Sequence, residues 1–390
     1  MNKSWEYKKI GDVCTVERGG SPRPIDKFIT DDENGINWIK IGDTTDSMYI
    51  THTAQKIIPE GMKKSRYVKP GDFLLSNSMS FGRPYILQID GCIHDGWLVL
   101  RDDDELFDKR FLYYYLSSKT TYEKFKSMAV GGVVNNLNSE MVRKVEVPIP
   151  DKAEQSDVAN LMDRLSKVID NRKKELEYFD ELIKARFVEM FGDPIKNPKG
   201  WDIVTVGDLV TEVRYGTSSP AVESGQYPYL RMNNLTYDGH LDLADLKYID
   251  VSDEEKEKCV VRKGDVLFNR TNSVELVGKT AVFDLPDEMI IAGYIIRVRL
   301  GERMLPAVFS QYMNLEALKD ILRNMAKGAV NQANINAQEL QSIKVYVPDM
   351  LLQKEFIEIK QQVDKSKVAV QKALNETQQL FDSLMQEYFG

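Results

Sequence analysis

Trp5, Gly11, Asp12 and Arg18 return 196 residues later as Trp201, Gly207, Asp208 and Arg214. The run Val68, Lys69, Pro70, Gly71, Asp72 returns as Val261, Arg262, Lys263, Gly264, Asp265, and the order of the matches is kept. Further on, Met128-Ala129-Val130-Gly131 matches Met325-Ala326-Lys327-Gly328, residues 145–150 match 343–348, and Phe191-Gly192 matches Phe389-Gly390. From residue 151 onward the offset is a constant 198. A chain of 390 residues written twice is expected to fold as two similar units, each with its own core and turns.

Each copy has two parts. The first mixes short β-rich runs, such as Phe73-Leu74-Leu75 and Trp97-Leu98-Val99-Leu100, with Gly, Pro, Asn and Asp punctuation, which reads as a mixed domain with many loops. A short helix is expected around Phe111 and Leu116. The second part starts after the strand before Pro150 and runs to Phe191 without Gly or Pro, as a long helix does. Its apolar residues alternate at spacings of three and four: Val158, Leu165 and Phe179 on one seam position, Met162, Ile169, Leu176 and Ile183 on the other, interrupted by Arg172 and Arg186. Phe356, Val363, Val370, Leu374 and Phe381 repeat the scheme, weakened by Lys360, Lys367 and Thr377.

Two such stripes bury best against each other, and a duplicated chain packed about a pseudo-two-fold axis makes the pair antiparallel. Residues 154–191 would span ~57 Å at ~1.5 Å per residue. The expected fold class is α+β: two similar mixed α/β heads separated by an antiparallel two-helix coiled coil, dumbbell-like. The expected divisions are 1–150 and 195–348 for the heads, and 151–194 and 349–390 for the helices.

Lys plus Arg number 52 against 60 for Asp plus Glu, a net charge of −8, which argues against indiscriminate polyanion binding. Local basic faces remain open, since residues 110–145 carry a surplus of four cations. No window approaches the ~18 to 20 apolar residues of a membrane span, and the first residues lack the apolar run of a secretory signal. A cytoplasmic location is expected. Cys14, Cys92 and Cys259 are too scattered for a disulfide framework or a metal knuckle.

Signatures of catalysis are missing their parts. Asn197-Pro198-Lys199 lacks the second Pro and the aromatic of a methyltransferase turn. Pro348-Asp349 with Glu358-Ile359-Lys360 spells a nuclease signature, but Glu358 and Lys360 lie two apart in an expected helix and point to different faces. Gly278-Lys279-Thr280 ends like a phosphate loop, yet Ser273 stands where Gly is needed. His52, His94 and His240 show no carboxylate or cysteine at metal-ligand spacing, so no metal is expected.

The order of head, long helix, head, long helix resembles the specificity subunit of Type I restriction-modification enzymes over the whole chain. Residues behind the resemblance are Gly131-Gly132-Val133-Val134-Asn135-Asn136-Leu137-Asn138, the strand at 145–150, and Glu154-Gln155. The second copy has Gly328-Ala329-Val330-Asn331-Gln332-Ala333-Asn334-Ile335-Asn336, the strand at 345–348, and Gln353, with Leu352 where Glu154 stands. Residues 187–194 are similar to the end of the family's first helix.

The resemblance implies that each head is a target recognition domain reading one half of a bipartite, asymmetric double-stranded DNA site, with the helices as spacer and docking surface. It implies no catalysis on this chain. Partners would be two methyltransferase subunits using S-adenosylmethionine, and restriction/translocase subunits using ATP and Mg. Half-sites on one DNA face recur every ~34 to 36 Å. The other reading open to the sequence is a protein–protein adaptor with two heads on a helical bar.

Arg suits guanine, and Asn or Gln suits adenine, while Lys and Ser reach phosphates. On that basis the expected DNA-contacting residues of the first head are Arg18, Ser21, Lys40, Asn77, Arg83, Asn135 and Asn136. Those of the second are Arg214, Arg231, Asn233, Asn269, Arg270, Asn272, Lys279, Asn331 and Gln332. Trp5 with Trp201, Gly71 with Gly264, and Asp72 with Asp265 recur in both copies and are assigned to the scaffold.

Overall fold

The run without Gly or Pro forms one unbroken helix, Lys152–Phe191, and its repeat forms another, Met350–Phe389. The computed structural model describes residues 5–77, 82–129, 136–326 and 333–390. The chain divides into two units, residues 1–172 with 373–390, and residues 173–372. Each unit therefore takes one half of each long helix.

In the first unit, Trp97–Arg101 lies between Thr15–Arg18 and Phe73–Ser76, antiparallel to both, in a five-stranded sheet completed by Pro84–Leu87 and Tyr49–Ile50. A second five-stranded sheet orders Ile29–Thr30, Gln55–Ile57, Ile36–Ile39, Gly91–Ile93 and Arg66–Val68. Side chains of a strand alternate faces, which explains the unbroken apolar run at 97–100. Leu74, Trp97 and Val99 enter a core with Ile39 and Ile93, whereas Phe73, Leu75, Leu98 and Leu100 enter a core with helix residues Val158 and Met162. The expected short helix is Lys109–Ser117, and a further helix, Lys119–Ala129, follows it.

The second unit repeats this with two four-stranded sheets. Val210–Tyr215, Ile295–Leu300, Val266–Asn269 and Thr280–Val282 form one; Lys247–Ile249, Tyr227–Leu230, Met289–Ile291 and Val260–Val261 form the other. Val266, Phe268, Ile296 and Val298 face the core that includes Phe187, Phe191 and Phe356. Between Val210 and Glu212 the ladder slips by one residue against Ile295–Leu300, leaving Thr211 as a bulge. No such slip occurs in the first unit, where Thr15 pairs with Arg101 in an unbroken register.

The repeated turns have a clear cause. Gly71 and Gly264 sit at φ of 92° and 98°, which only glycine adopts without strain. Asp72 and Asp265 then accept from the amides of Lys69 and Arg262, 2.9 Å each, and pair with Arg101 at 3.3 Å and Arg299 at 2.8 Å. Trp5 stacks on Tyr388, and the indole of Trp201 donates to the Phe191 carbonyl at 2.7 Å.

The helices pair antiparallel inside each unit. In the first, Arg172 donates to the Ala373 carbonyl and the Thr377 hydroxyl, while Val158 and Met162 share a core with Phe381, Leu384 and Phe389. In the second, Phe187 and Phe191 pack edge-on against Phe356 at 5.3 and 5.5 Å, while Lys367 binds Asp180 at 2.5 Å. Of the seam residues, Val158, Met162, Ile169, Ile183, Phe356, Val363 and Leu374 are buried; Leu165, Leu176, Phe179, Val370 and Phe381 are partly buried.

Buried glutamines fasten each helix start. Gln155 donates to the carbonyls of Leu106 and Pro150 and accepts from the Asp108 amide. Gln353 donates to Arg303 and Pro348 and accepts from Leu305, the same three bonds. The glutamine, present in both copies, is the member of the Glu154-Gln155 pair that this joint uses.

Candidate nucleic-acid interface

The same backbone rim closes one end of each unit. In the first, the Gly19 amide donates to Trp97 at 2.9 Å, the Gly20 amide to Ile93 at 3.2 Å, and the Asn77 amide to Gly96 at 3.0 Å. In the second, Gly216 donates to Ile295 at 3.2 Å, Thr217 to Ile291 at 2.9 Å, and Arg270 to Tyr294 at 2.9 Å. A side chain at Gly19 or Gly216 would lie 2.1 or 2.2 Å from a backbone carbonyl oxygen, so glycine is required at this approach in both copies.

These bonds set the true correspondence. Arg18 matches Tyr215 and not Arg214, because the Thr211 bulge has added one residue; Asn77 matches Arg270, and His94-Asp95-Gly96 matches Ala292-Gly293-Tyr294. One frame thus holds different chemistry.

The rim of the first unit is closed on itself around Asp95. Ser21 donates to the Asp95 carboxylate at 2.9 Å and Arg23 pairs with it at 3.3 Å; Arg18 and Asn77 donate to its carbonyl at 3.1 and 2.8 Å. Burial opposes ionisation of Asp95, but the Ser21 hydroxyl, a backbone bond and the neighbouring His94 and Arg23 outweigh it and hold the carboxyl below its usual range. His94 is pushed down chiefly by burial.

The rim of the second unit is open. Gly293 stands where Asp95 does, and a cleft of about 470 Å³ remains, lined by Ser218, Pro220, Arg231, Asn233, Arg270 and Tyr294, among others. Arg231 is committed to Asp245, donating to its carbonyl at 2.9 Å and its carboxylate at 2.7 Å. Arg270 lies over the Tyr215 ring, 4.8 Å from its centroid. Tyr294 is half exposed and Asn233 exposed. Cations, an amide and exposed rings together suit nucleic-acid bases and phosphates.

The other expected contact residues either lie away from these rims or turn inward beneath them. Lys40 donates to Gln55 at 2.7 Å, Arg83 pairs with Asp46 at 3.6 Å beside the Tyr85 ring, and Arg214 pairs with Glu212 at 3.1 Å. Asn136 is half-buried and Asn272 donates to Asn269 at 2.9 Å. Asn77, Asn269 and Lys279 are buried, with side chains turned inward to carbonyls, so in this conformation they brace loops instead of facing a ligand. Asn135, Asn331 and Gln332 lie outside the described residues. Residues that the sequence reading missed are Arg23, Asp95, Tyr215 and Tyr294. The signal was the repeat itself, had it been aligned one residue later after position 14.

Carboxylates do gather around His240. Asp238, two residues earlier, lies 3.7 Å from it, and with Asp180 their ligand atoms come within 4.8 Å of one another beside a cavity of about 270 Å³. The Lys367 ammonium on Asp180 already supplies positive charge there.

The family model for the Type I restriction modification DNA specificity domain matches twice, over residues 2–178 and 198–378. The chain belongs to this family. Among its relatives, the Type I restriction enzyme EcoKI specificity subunit of Escherichia coli (strain K12) is 23% identical over 405 residues, covering 96% of this chain and 85% of that one. The StySPI specificity subunit of Salmonella potsdam is 21% identical, covering 99% and 88%. Two solved structures share the fold of this specificity-family chain across its full length. A chain from work on complex assembly and conformational transition of the type I R-M system has a TM-score of 0.64 at 18% identity and is covered to 98%. The S subunit from M. genitalium has a TM-score of 0.56 at 15% identity and is covered to 97%. Among the described residues, no helix is long and apolar enough to cross a membrane.

Proposed function

We propose that this chain is the non-catalytic, sequence-reading subunit of a type I restriction-modification assembly. Its heads, residues 1–150 and 195–348, act as target recognition domains, each reading one half of a bipartite DNA site. The helices, residues 151–194 and 349–390, space the half-sites and dock the partners. Methyl transfer belongs to two modification subunits that bind S-adenosylmethionine, and cleavage to restriction subunits that use ATP and Mg.

The supporting observation is the duplicated rim. Matching backbone bonds, donated by Gly19 and Gly216, by Gly20 and Thr217, and by Asn77 and Arg270, frame Arg18, Asn77 and Asp95 in one unit and Tyr215, Arg270 and Gly293 in the other. A protein that must recognise two different half-sites with one scaffold needs this arrangement, whereas a symmetric adaptor has no use for it.

The test is selection from randomised duplexes by the full chain assembled with its methyltransferase partner. Two fixed half-sites separated by an unselected gap are expected. Inserting four residues near Asn171 lengthens the helix by ~6 Å, about two base pairs, and is expected to change the gap while leaving both half-sites intact. Absence of any selected sequence across a range of salt would favour the adaptor.

A further inference from the structure

We infer that Arg270 reads a guanine in the half-site of the second unit, donating to its O6 and N7 from the platform of Tyr215. The inference rests on the DNA-reading function proposed above and adds the residue and the base.

Three observations carry it. First, Arg270 is uncommitted. Among the described residues its side chain forms no hydrogen bond or ion pair, whereas Arg231 in the same cleft, its Nε likewise buried without a partner, spends its Nη2 on Asp245. Second, Arg270 is oriented. Its guanidinium lies 4.8 Å over the Tyr215 ring, and the Tyr215 hydroxyl is itself fixed by the Ala337 amide at 2.8 Å. A planar fork held on an aromatic face has lost its freedom before a ligand arrives, which suits two parallel bonds to one base edge.

Third, the counterpart position is occupied differently. Asn77 has the same backbone bonds, to Gly96 and from Leu137, as Arg270 has to Tyr294 and from Ile335. Yet the Asn77 amide is consumed by the Asp95 carbonyl, while the glycine at 293 leaves the cleft before Arg270 open. A side chain that differs in both reach and charge between the two copies is thus positioned to make their half-sites differ. A phosphate contact would need neither the ring beneath the guanidinium nor the fixed plane.

The experiment uses the full chain assembled with its methyltransferase partner and duplexes in which each guanine of the selected site is replaced in turn by 7-deazaguanine. This removes N7 and leaves base pairing intact. One guanine in one half-site is expected to be sensitive, with binding weakened roughly 5- to 150-fold. Arg270→Gln is expected to lose discrimination at that same base pair, to be indifferent to 7-deazaguanine there, and to leave the other half-site unchanged.

Gly293→Asp, at a position without the positive φ that demands glycine but with a Cβ 3.3 Å from the Thr217 carbonyl oxygen, which must give slightly, places a carboxylate where Asp95 stands and is expected to have the same effect by capturing Arg270. If no guanine is sensitive in the unmodified protein, the inference is overturned even if the variants fail to fold. A uniform loss across all sequences for Arg270→Gln, with a salt slope smaller by about one, would instead make Arg270 a phosphate contact and overturn base reading. Failure of the unmodified chain to select any sequence would sink the DNA-reading function itself, a result distinct from both.

Discussion

Arg172 on the first long helix donates to the side-chain oxygen of Thr377 on the second. Each residue, taken alone, breaks the apolar pattern of its own helix. Together they are one another's partner, and the Thr377 hydroxyl also donates to the Ala373 carbonyl at 2.8 Å, which accepts from Arg172 as well. A polar contact in a mostly apolar seam specifies register, because a slide leaves the Arg172 guanidinium without its partners across the pair. Thr377→Val is expected to lower stability by about 1 kcal/mol in urea unfolding. The double change Arg172→Leu with Thr377→Leu is expected to unfold at equal or higher urea while pairing less uniquely, read as broadened NMR or weakened hydrogen-exchange protection at the seam.

Gln353 holds three backbone groups with one buried side chain. Gln353→Met keeps the volume and leaves the Leu305 amide and two carbonyls without it. The expected cost is about 2 to 4 kcal/mol in urea unfolding, and Gln155→Met is expected to behave alike. A loss below about 0.5 kcal/mol would show that water replaces the amide.

Lys319 is 1% exposed and bonds the Gly278 carbonyl at 2.7 Å. Burial, reinforced by nearby Arg323, lowers its pKa from 10.5 to about 7. The unfolded chain therefore binds more protons between about pH 7 and pH 10.5, so stability contributed by this site rises with pH across that window and is flat below it. Lys319→Met is expected to gain more stability over the parent at pH 7 than at pH 9.5. Equal differences at the two pH values would contradict this.

Asp95 gathers Ser21, Arg23, Arg18 and Asn77. Asp95→Ala removes the carboxylate but keeps the backbone, freeing Arg23 and the Ser21 hydroxyl proton, while Ser21 Oγ still accepts from the residue 95 amide at 3.3 Å and Arg18 and Asn77 stay bound. Under the proposed function, selection from randomised duplexes is expected to change the first half-site and spare the second. A change confined to the second half-site would reverse the assignment of units.

Much of the architecture was legible because it was encoded twice. The long helices follow from the absence of Gly and Pro, and Asp72 and Asp265 declared their structural role by recurring. The helix Lys119–Ala129 was missed because only Thr121, Phe125 and Ala129 are buried on it, too narrow a stripe to stand out. Site residues were harder to read. Composition marks Asn77, Asn269 and Lys279 as polar, but whether a polar group turns out to a ligand or back to a carbonyl depends on the loop crossing beneath it. The pairing of Arg18 with Tyr215 was hidden by one extra residue.

That extra residue, Thr211, bulges out at the edge of a sheet. In a strand an added residue would otherwise turn every following side chain inside out, exchanging Val213 of the packed face with its outward neighbours. Having been absorbed there, it let the two copies drift in length without falling out of phase. Selection could then rewrite one recognition surface letter by letter while the other stood untouched.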